Sequence, residues 1–147
     1  MNKVVIGVMT AIICLSVNGK TVLDAEKILQ SRGYTMPSMK LVSAMMQVES
    51  CKGKTSKNVL QLKRIYIRDV NRIYGTNYKW KDAFTLRKAI VITRLYLAYW
   101  GSKYEKGSGL DCTDEVFARI HNGGPDGYKN WKTRFYWQRV RNAMREE

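Results

Sequence analysis

Glu49 is the residue in this chain best placed for acid–base chemistry, because of the company its spacing gives it. It closes the run Ser38-Met39-Lys40-Leu41-Val42-Ser43-Ala44-Met45-Met46-Gln47-Val48-Glu49-Ser50. Apolar residues at 41, 42, 45, 46 and 48 mark one helical face. Glu49 follows Met45 by four residues and Met46 by three, so helical geometry sets its carboxyl beside that stripe. The preceding turn carries no cation. Loss of water would raise the carboxyl's pKa, and a carboxyl still protonated near neutrality is what a general acid requires. The competing reading is a frayed last turn with Glu49 in solvent.

Other chemistries are poorly supplied. One His and three Cys, far apart, make no zinc set, and no cofactor motif is present. The net charge of +14, from 26 Lys+Arg against 12 Asp+Glu, implies an anionic partner without choosing among nucleic acid, acidic lipid and acidic wall polymer. Apolar content of 45% in 147 residues suits one globular domain with a core of its own.

The elements that must position Glu49 are helical. Pro37 and Ser38 are start signals for its helix. Thr21 to Arg32 reads as a short amphipathic helix stopped at Gly33. Cys51 to Asn58 is a polar, basic loop. Val59 to Tyr74 has Leu62, Ile65, Val70 and Ile73 near helical spacing, ended by Gly75-Thr76-Asn77. Asp82 to Tyr104, with Phe84, Leu86, Ala89, Ile90, Ile92, Leu95, Leu97 and Tyr99, predicts a buried central helix. Lys103 to Gly109 reads as a link. Thr113 caps a helix from Asp114 to about His121, stopped by Asn122-Gly123-Gly124-Pro125-Asp126-Gly127. Thr133 to about Met144 is a last helix, with Tyr136, Val140 and Met144 four apart. The fold class expected is mainly α, in a single domain.

Residues 1–19 read as a signal peptide: Asn2-Lys3, an uncharged apolar run from Val4 to Val17, then small residues at a cleavage site after Gly19. The run is short for a spanning helix. No stable membrane span is then expected after cleavage, and the protein is secreted or periplasmic; uncleaved, the segment is an anchor. Residues 20–147 form the folded domain. Cleavage removes Cys14 and leaves Cys51 and Cys112, an even pair that suggests one disulfide in an oxidising compartment. Two buried thiols are the alternative.

Four stretches occur in an order that belongs to a known family. They are Glu49-Ser50 at a helix end, Asn58-Val59-Leu60-Gln61, His121-Asn122-Gly123-Gly124-Pro125 after Ala118, and Thr133-Arg134-Phe135-Tyr136 with Val140. The chain resembles the lysozyme-like lytic transglycosylases, which share the catalytic domain of soluble lytic transglycosylases and are related to goose-type lysozymes. The counterparts there are Glu-Ser, Gly-Leu-Met-Gln, Tyr-Asn-Ala-Gly-Pro and Thr-Arg-x-Tyr-Val. This chain departs by lacking the glycine before Val59, by a shorter segment between Glu49 and Gln61, and by His121 in place of Tyr.

The resemblance implies a lysozyme-like helical domain that cleaves the β-1,4 bond between MurNAc and GlcNAc in peptidoglycan. Glu49 would be the single catalytic acid and base. Substrate would be bound by Ser50, Gln61, His121, Asn122 and Tyr136. Standard glycosidases use a second carboxylate, for which this chain offers no obvious candidate. In transglycosylases of this kind the substrate's N-acetyl group and 6-hydroxyl supply the nucleophiles, giving a 1,6-anhydro product. The amides of Gln61 and Asn122 suit an N-acetyl group or hydroxyl, though each also fits a plain helix or helix-end role. Tyr136 offers a flat face and a hydroxyl, or a core aromatic.

The partners implied are peptidoglycan glycan strands and anionic wall polymers, not nucleic acid. Three alternatives remain. One is a lysozyme-type hydrolase of the same bond, since invertebrate-type lysozymes also carry His-Asn-Gly-Gly-Pro but are rich in cysteine. Another is a catalytically degenerate wall-binding protein. The last is a basic nucleic-acid- or membrane-binding module using Arg134, Arg139, Arg141 and Arg145.

Overall fold

A computed structural model describes residues 22–50 and 58–146. Every regular element among them is helical, as the periodicities predict. The order is α1 (Val22–Ser31), α2 (Met39–Ser50), α3 (Arg64–Tyr74), a 3-10 turn (Trp80–Phe84), α4 (Leu86–Ser108), α5 (Asp114–Gly123), a second 3-10 turn (Gly127–Lys129) and α6 (Thr133–Glu146). The expected signal segment and Cys51 lie outside the described residues, and no described helix is long and apolar enough to cross a membrane.

α2 begins where Ser38 Oγ accepts the Leu41 amide at 3.1 Å, satisfying one of the donors that a helix start leaves open. It buries Leu41, Val42, Ala44 and Met45. α4 is the central helix, with Ile92, Leu95, Leu97 and Ala98 at most 1% exposed. It packs against α1, α3 and α5, while α2 packs against α5 and α6. The reach of α4 differs from the sequence reading at both ends. Phe84 precedes it, in a separate 3-10 turn where Asp82 accepts the Lys79 amide and the Lys88 ammonium, each at 2.8 Å; Leu86 opens the helix, and both apolar side chains are exposed. The segment Lys103 to Gly109, expected as a link, continues the helix as far as Ser108, and Gly109 in the left-handed conformation ends it.

The segment before α3 also departs from expectation. Residues 58–62 form a turn, and the helix starts only at Arg64. Buried Asn58 explains this: its Oδ1 accepts the Leu62 amide at 3.0 Å and its Nδ2 donates to the Leu62 carbonyl at 2.8 Å. A side chain that pairs with the backbone both ways competes with helix formation. The apolar face of α3 is Tyr66, Ile67, Val70 and Tyr74, and Ile65 is exposed.

α5 is fixed from below by two contacts. Buried Arg119 donates from Nε to Thr133 Oγ1 at 3.0 Å, from Nη1 to Glu115 at 2.9 Å, and from Nη2 to the Tyr128 carbonyl. Gly127 meets α5 so closely that a Cβ there would sit 2.0 Å from the Arg119 carbonyl oxygen. The partner atom is backbone and cannot swing aside. Gly127→Ala is therefore expected to lower stability by about 1–3 kcal/mol. Gly107→Ala, within α4 where an added Cβ meets nothing within 4 Å, is expected to leave stability unchanged or raise it by up to about 1 kcal/mol. Thermal unfolding followed by circular dichroism compares the two.

Candidate active site

Glu49 is the penultimate residue of α2, and its side chain is 19% exposed. The apolar stripe of α2 thus carries it to the edge of the core rather than into bulk water. His121, near the end of α5, approaches from one side, with Nε2 3.9 Å from Glu49 Oε1. Tyr136, from the first turns of α6, is 2% exposed, and its ring lies 6.1 Å from the imidazole. Tyr66, from α3, completes the group, its hydroxyl 3.2 Å from His121 Nδ1. Four helices each contribute one side chain.

The electrostatics follow from burial. The Tyr136 hydroxyl has no partner in good hydrogen-bond geometry, and Glu49 is the acceptor it faces. Burial first, then the charge of the Glu49 carboxylate and the contact with it, hold this phenol far above its ordinary range, so it stays a donor. Burial likewise keeps Tyr66 protonated. His121 moves the opposite way. Burial, opposed by the backbone of Leu60 and aided by Lys63, lowers its pKa to about 4. Near neutrality the imidazole is uncharged, and Glu49 has an uncharged neighbour there instead of a cation.

The other expected site residues are placed differently. Gln61 is exposed in the turn before α3, with φ of +49°, and its amide N–H donates to the Asn58 carbonyl at 3.0 Å. Its neighbour Leu60 is the residue whose backbone meets His121. Asn122 is exposed beside His121. Ser50 is exposed and donates its hydroxyl to the Met46 carbonyl at 2.7 Å, which engages it with the last turn of α2. His121 and Tyr136 were expected at the substrate surface, but their side chains are almost wholly buried. Cys112 is buried, and its expected partner Cys51 is outside the described residues. Among the described residues no group of His, Cys, Asp and Glu could hold a metal.

Tyr66 is the member that sequence reasoning missed. The expected face runs through Leu62, Ile65, Val70 and Ile73, whereas the buried register is Tyr66, Val70 and Tyr74, each four apart. That spacing was the available signal.

Comparison with known proteins gives the family. No protein-family model matches the chain. Lysozyme 1 of Crassostrea virginica is 51% identical over 39 residues, 26% of this chain and 21% of that protein. The lysozyme of Meretrix lusoria is 30% identical over 112 residues, 70% of this chain and 87% of that protein. The chain belongs to the lysozyme family. The lysozyme of Ostrea edulis is 32% identical over 82 residues, covering 56% of each chain. The match thus spans about a fifth of the Crassostrea protein, just over half of the Ostrea protein and most of the Meretrix protein. These bivalve relatives bear out the lysozyme-like part of the resemblance.

Two measurements test this geometry. An unfolded His titrates near 6.5 and the folded His121 near 4, so between those values the unfolded chain takes up a proton that the folded chain refuses. Stability from this group is complete above pH 6.5 and falls by about 1.4 kcal/mol per unit as pH drops toward 4. His121→Asn is expected to lose that slope, read from urea unfolding across the range. At Gln61, left-handed backbone strains any residue with a Cβ and most of all a β-branched one. Gln61→Gly should therefore keep or raise the melting temperature, and Gln61→Val should lower it.

Proposed function

We propose that this protein is a muramidase that hydrolyses the β-1,4 bond between MurNAc and GlcNAc in peptidoglycan, with Glu49 as the acid and base. The observation that carries the reading is a carboxyl at the margin of the core, beside a neutral imidazole and a protonated phenol, in a chain of the lysozyme family. The names of the bivalve relatives favour hydrolysis over transglycosylation.

Glu49 donates its proton to the glycosidic oxygen as the bond to C1 breaks. Four of the other carboxylates have ion-pair partners: Asp69 with Arg72, Asp82 with Lys88, Glu115 with Arg119 and Asp126 with Lys129. The segment 51–57 contains no Asp or Glu. With no second carboxylate among the described residues that meet Glu49, we assign the nucleophile to the substrate, whose N-acetyl oxygen attacks C1 to give an oxazolinium ion. Water then adds to C1, passes one proton to the Glu49 carboxylate and releases the N-acetyl group, leaving a reducing end. In this reading the exposed amides of Gln61 and Asn122 serve as contacts for the sugar.

The same scarcity of carboxylates favours a second reading. If the 6-hydroxyl opens the oxazolinium in place of water, the product is the 1,6-anhydro sugar and the enzyme is a transglycosylase. A wall substrate implies export, in keeping with the apolar run at residues 4–17.

Digestion of purified peptidoglycan with mass spectrometry of the fragments separates these outcomes. Reducing ends are expected, anhydro ends would mean transglycosylation, and intact glycan would remove the enzymatic reading. Glu49→Gln keeps the side chain's size but has no proton to give. Loss of at least 100-fold in lysis is expected, on the order assigned to general acid catalysis, with circular dichroism unchanged.

A further inference from the structure

Behind Glu49 lies a line of contacts that substrate binding does not require. The His121 side chain is 4% exposed, so its ring faces protein. Nε2 lies 3.9 Å from Glu49 Oε1, and Nδ1 lies 3.2 Å from the Tyr66 hydroxyl. Tyr66 is itself held fast. Its ring stacks on Tyr96 of α4, with centroids 3.6 Å apart and planes 19° apart, and meets the imidazole edge-on at 5.7 Å.

A neutral imidazole has one N–H and one lone pair, and what each nitrogen meets decides which is which. The Leu60 backbone carbonyl also meets the ring as an acceptor for its N–H, and a phenol that donates to Nδ1 leaves that proton on Nε2, the nitrogen facing Glu49. The opposite tautomer would set the Nε2 lone pair against a carboxylate oxygen, which is repulsive once Glu49 has given up its proton. At 3.9 Å the Nε2–Oε1 contact is electrostatic rather than a formed hydrogen bond. Contacts of this kind tighten when substrate closes the site.

We propose that Tyr66 is a positioning residue: by donating to His121 Nδ1 it directs the Nε2–H at Glu49 Oε1 and holds that carboxyl in the orientation for proton transfer. The proposal rests on Glu49 being the acid. The titratable and charged groups facing the imidazole are Glu49 from α2, Lys63 from the turn before α3, Tyr66 from α3 and Tyr136 from α6, with Arg139 over the Tyr136 ring. Near neutrality the ring is uncharged, so the N–H orients Glu49 without drawing off its proton as an imidazolium would.

His121 is the single histidine in the sequence, so the imidazole nitrogen spectrum of the full chain reports on this ring alone. In the wild-type protein at pH 6 to 7, nitrogen-15 NMR is expected to find the proton on Nε2 and an unprotonated Nδ1. Tyr66→Phe keeps the stack on Tyr96 and removes only the hydroxyl. It is expected to mix the two tautomers and to reduce kcat on peptidoglycan about tenfold with KM unchanged, the scale of a small misplacement of a catalytic group. A wild-type ring protonated on Nδ1 overturns the proposal without any variant, so a Tyr66→Phe protein that failed to fold would not leave it untested. A folded Tyr66→Phe protein with an unshifted tautomer or an unchanged kcat overturns it as well. Failure of the muramidase reading is told apart by Glu49→Gln: full lysis in that variant removes the acid, whatever the tautomer.

Discussion

An imidazole buried uncharged beside a carboxyl is the constraint on which the rest of this structure depends. Water is excluded from His121 on nearly every side, and in that setting its charged form is strongly disfavoured. Its contact with Glu49 therefore sets a neutral imidazole beside a carboxyl and is not a salt bridge. Two buried phenols complete the surroundings, both kept protonated by the same loss of solvent. Low dielectric strengthens each of these contacts and makes an unpaired polar atom expensive. The cluster therefore works as a unit, and none of its members has meaning without the packing around it.

That packing is organised to hold α5 still. The helix bears His121 near its end, where fraying would matter most. Below it, Arg119 ties the helix to the Tyr128 carbonyl and to Thr133, whose hydroxyl in turn contacts the Gly127 and Asn130 carbonyls at 2.8 and 2.7 Å. Gly127 closes the gap because any larger residue would strike the helix backbone. Above it, α4 presents an almost uninterrupted apolar surface, with Gly101 leaving room for Phe117, which a Cβ there would approach to 2.6 Å. Close approach on both sides fixes the imidazole through its helix.

Charge is distributed on a different principle. Among the described Lys and Arg residues only Arg119 is buried, and the arginines at 134, 139, 141 and 145 of α6 are exposed. The excess of 14 positive charges therefore acts through solvent, at long range, and is weakened by salt. It favours encounter with anionic material and adds little to the fold. Exposed Trp131 and Phe135 pack edge to face beside it, with Lys132 over the Trp131 ring.

What the sequence determined by itself is the helical class, the bounds of α2 and the Thr113 cap of α5. Each rests on periodicity or on capping, interactions between residues a few positions apart. The turn at 58–62 was not legible, because Asn58 reads as an ordinary polar residue until its side chain is seen paired with Leu62. The start of α4 was hidden for a similar reason: Phe84 and Leu86 continue the apolar pattern, and only the contacts of Asp82 with Lys79 and Lys88 set the 3-10 turn apart from a helix that begins at Leu86. Tertiary structure alone decided that Tyr66, 55 positions before His121, would meet its ring, and that both His121 and Tyr136 would be buried. Contacts so distant along the chain leave no periodic trace, since they depend on how whole helices cross and not on the residues beside them.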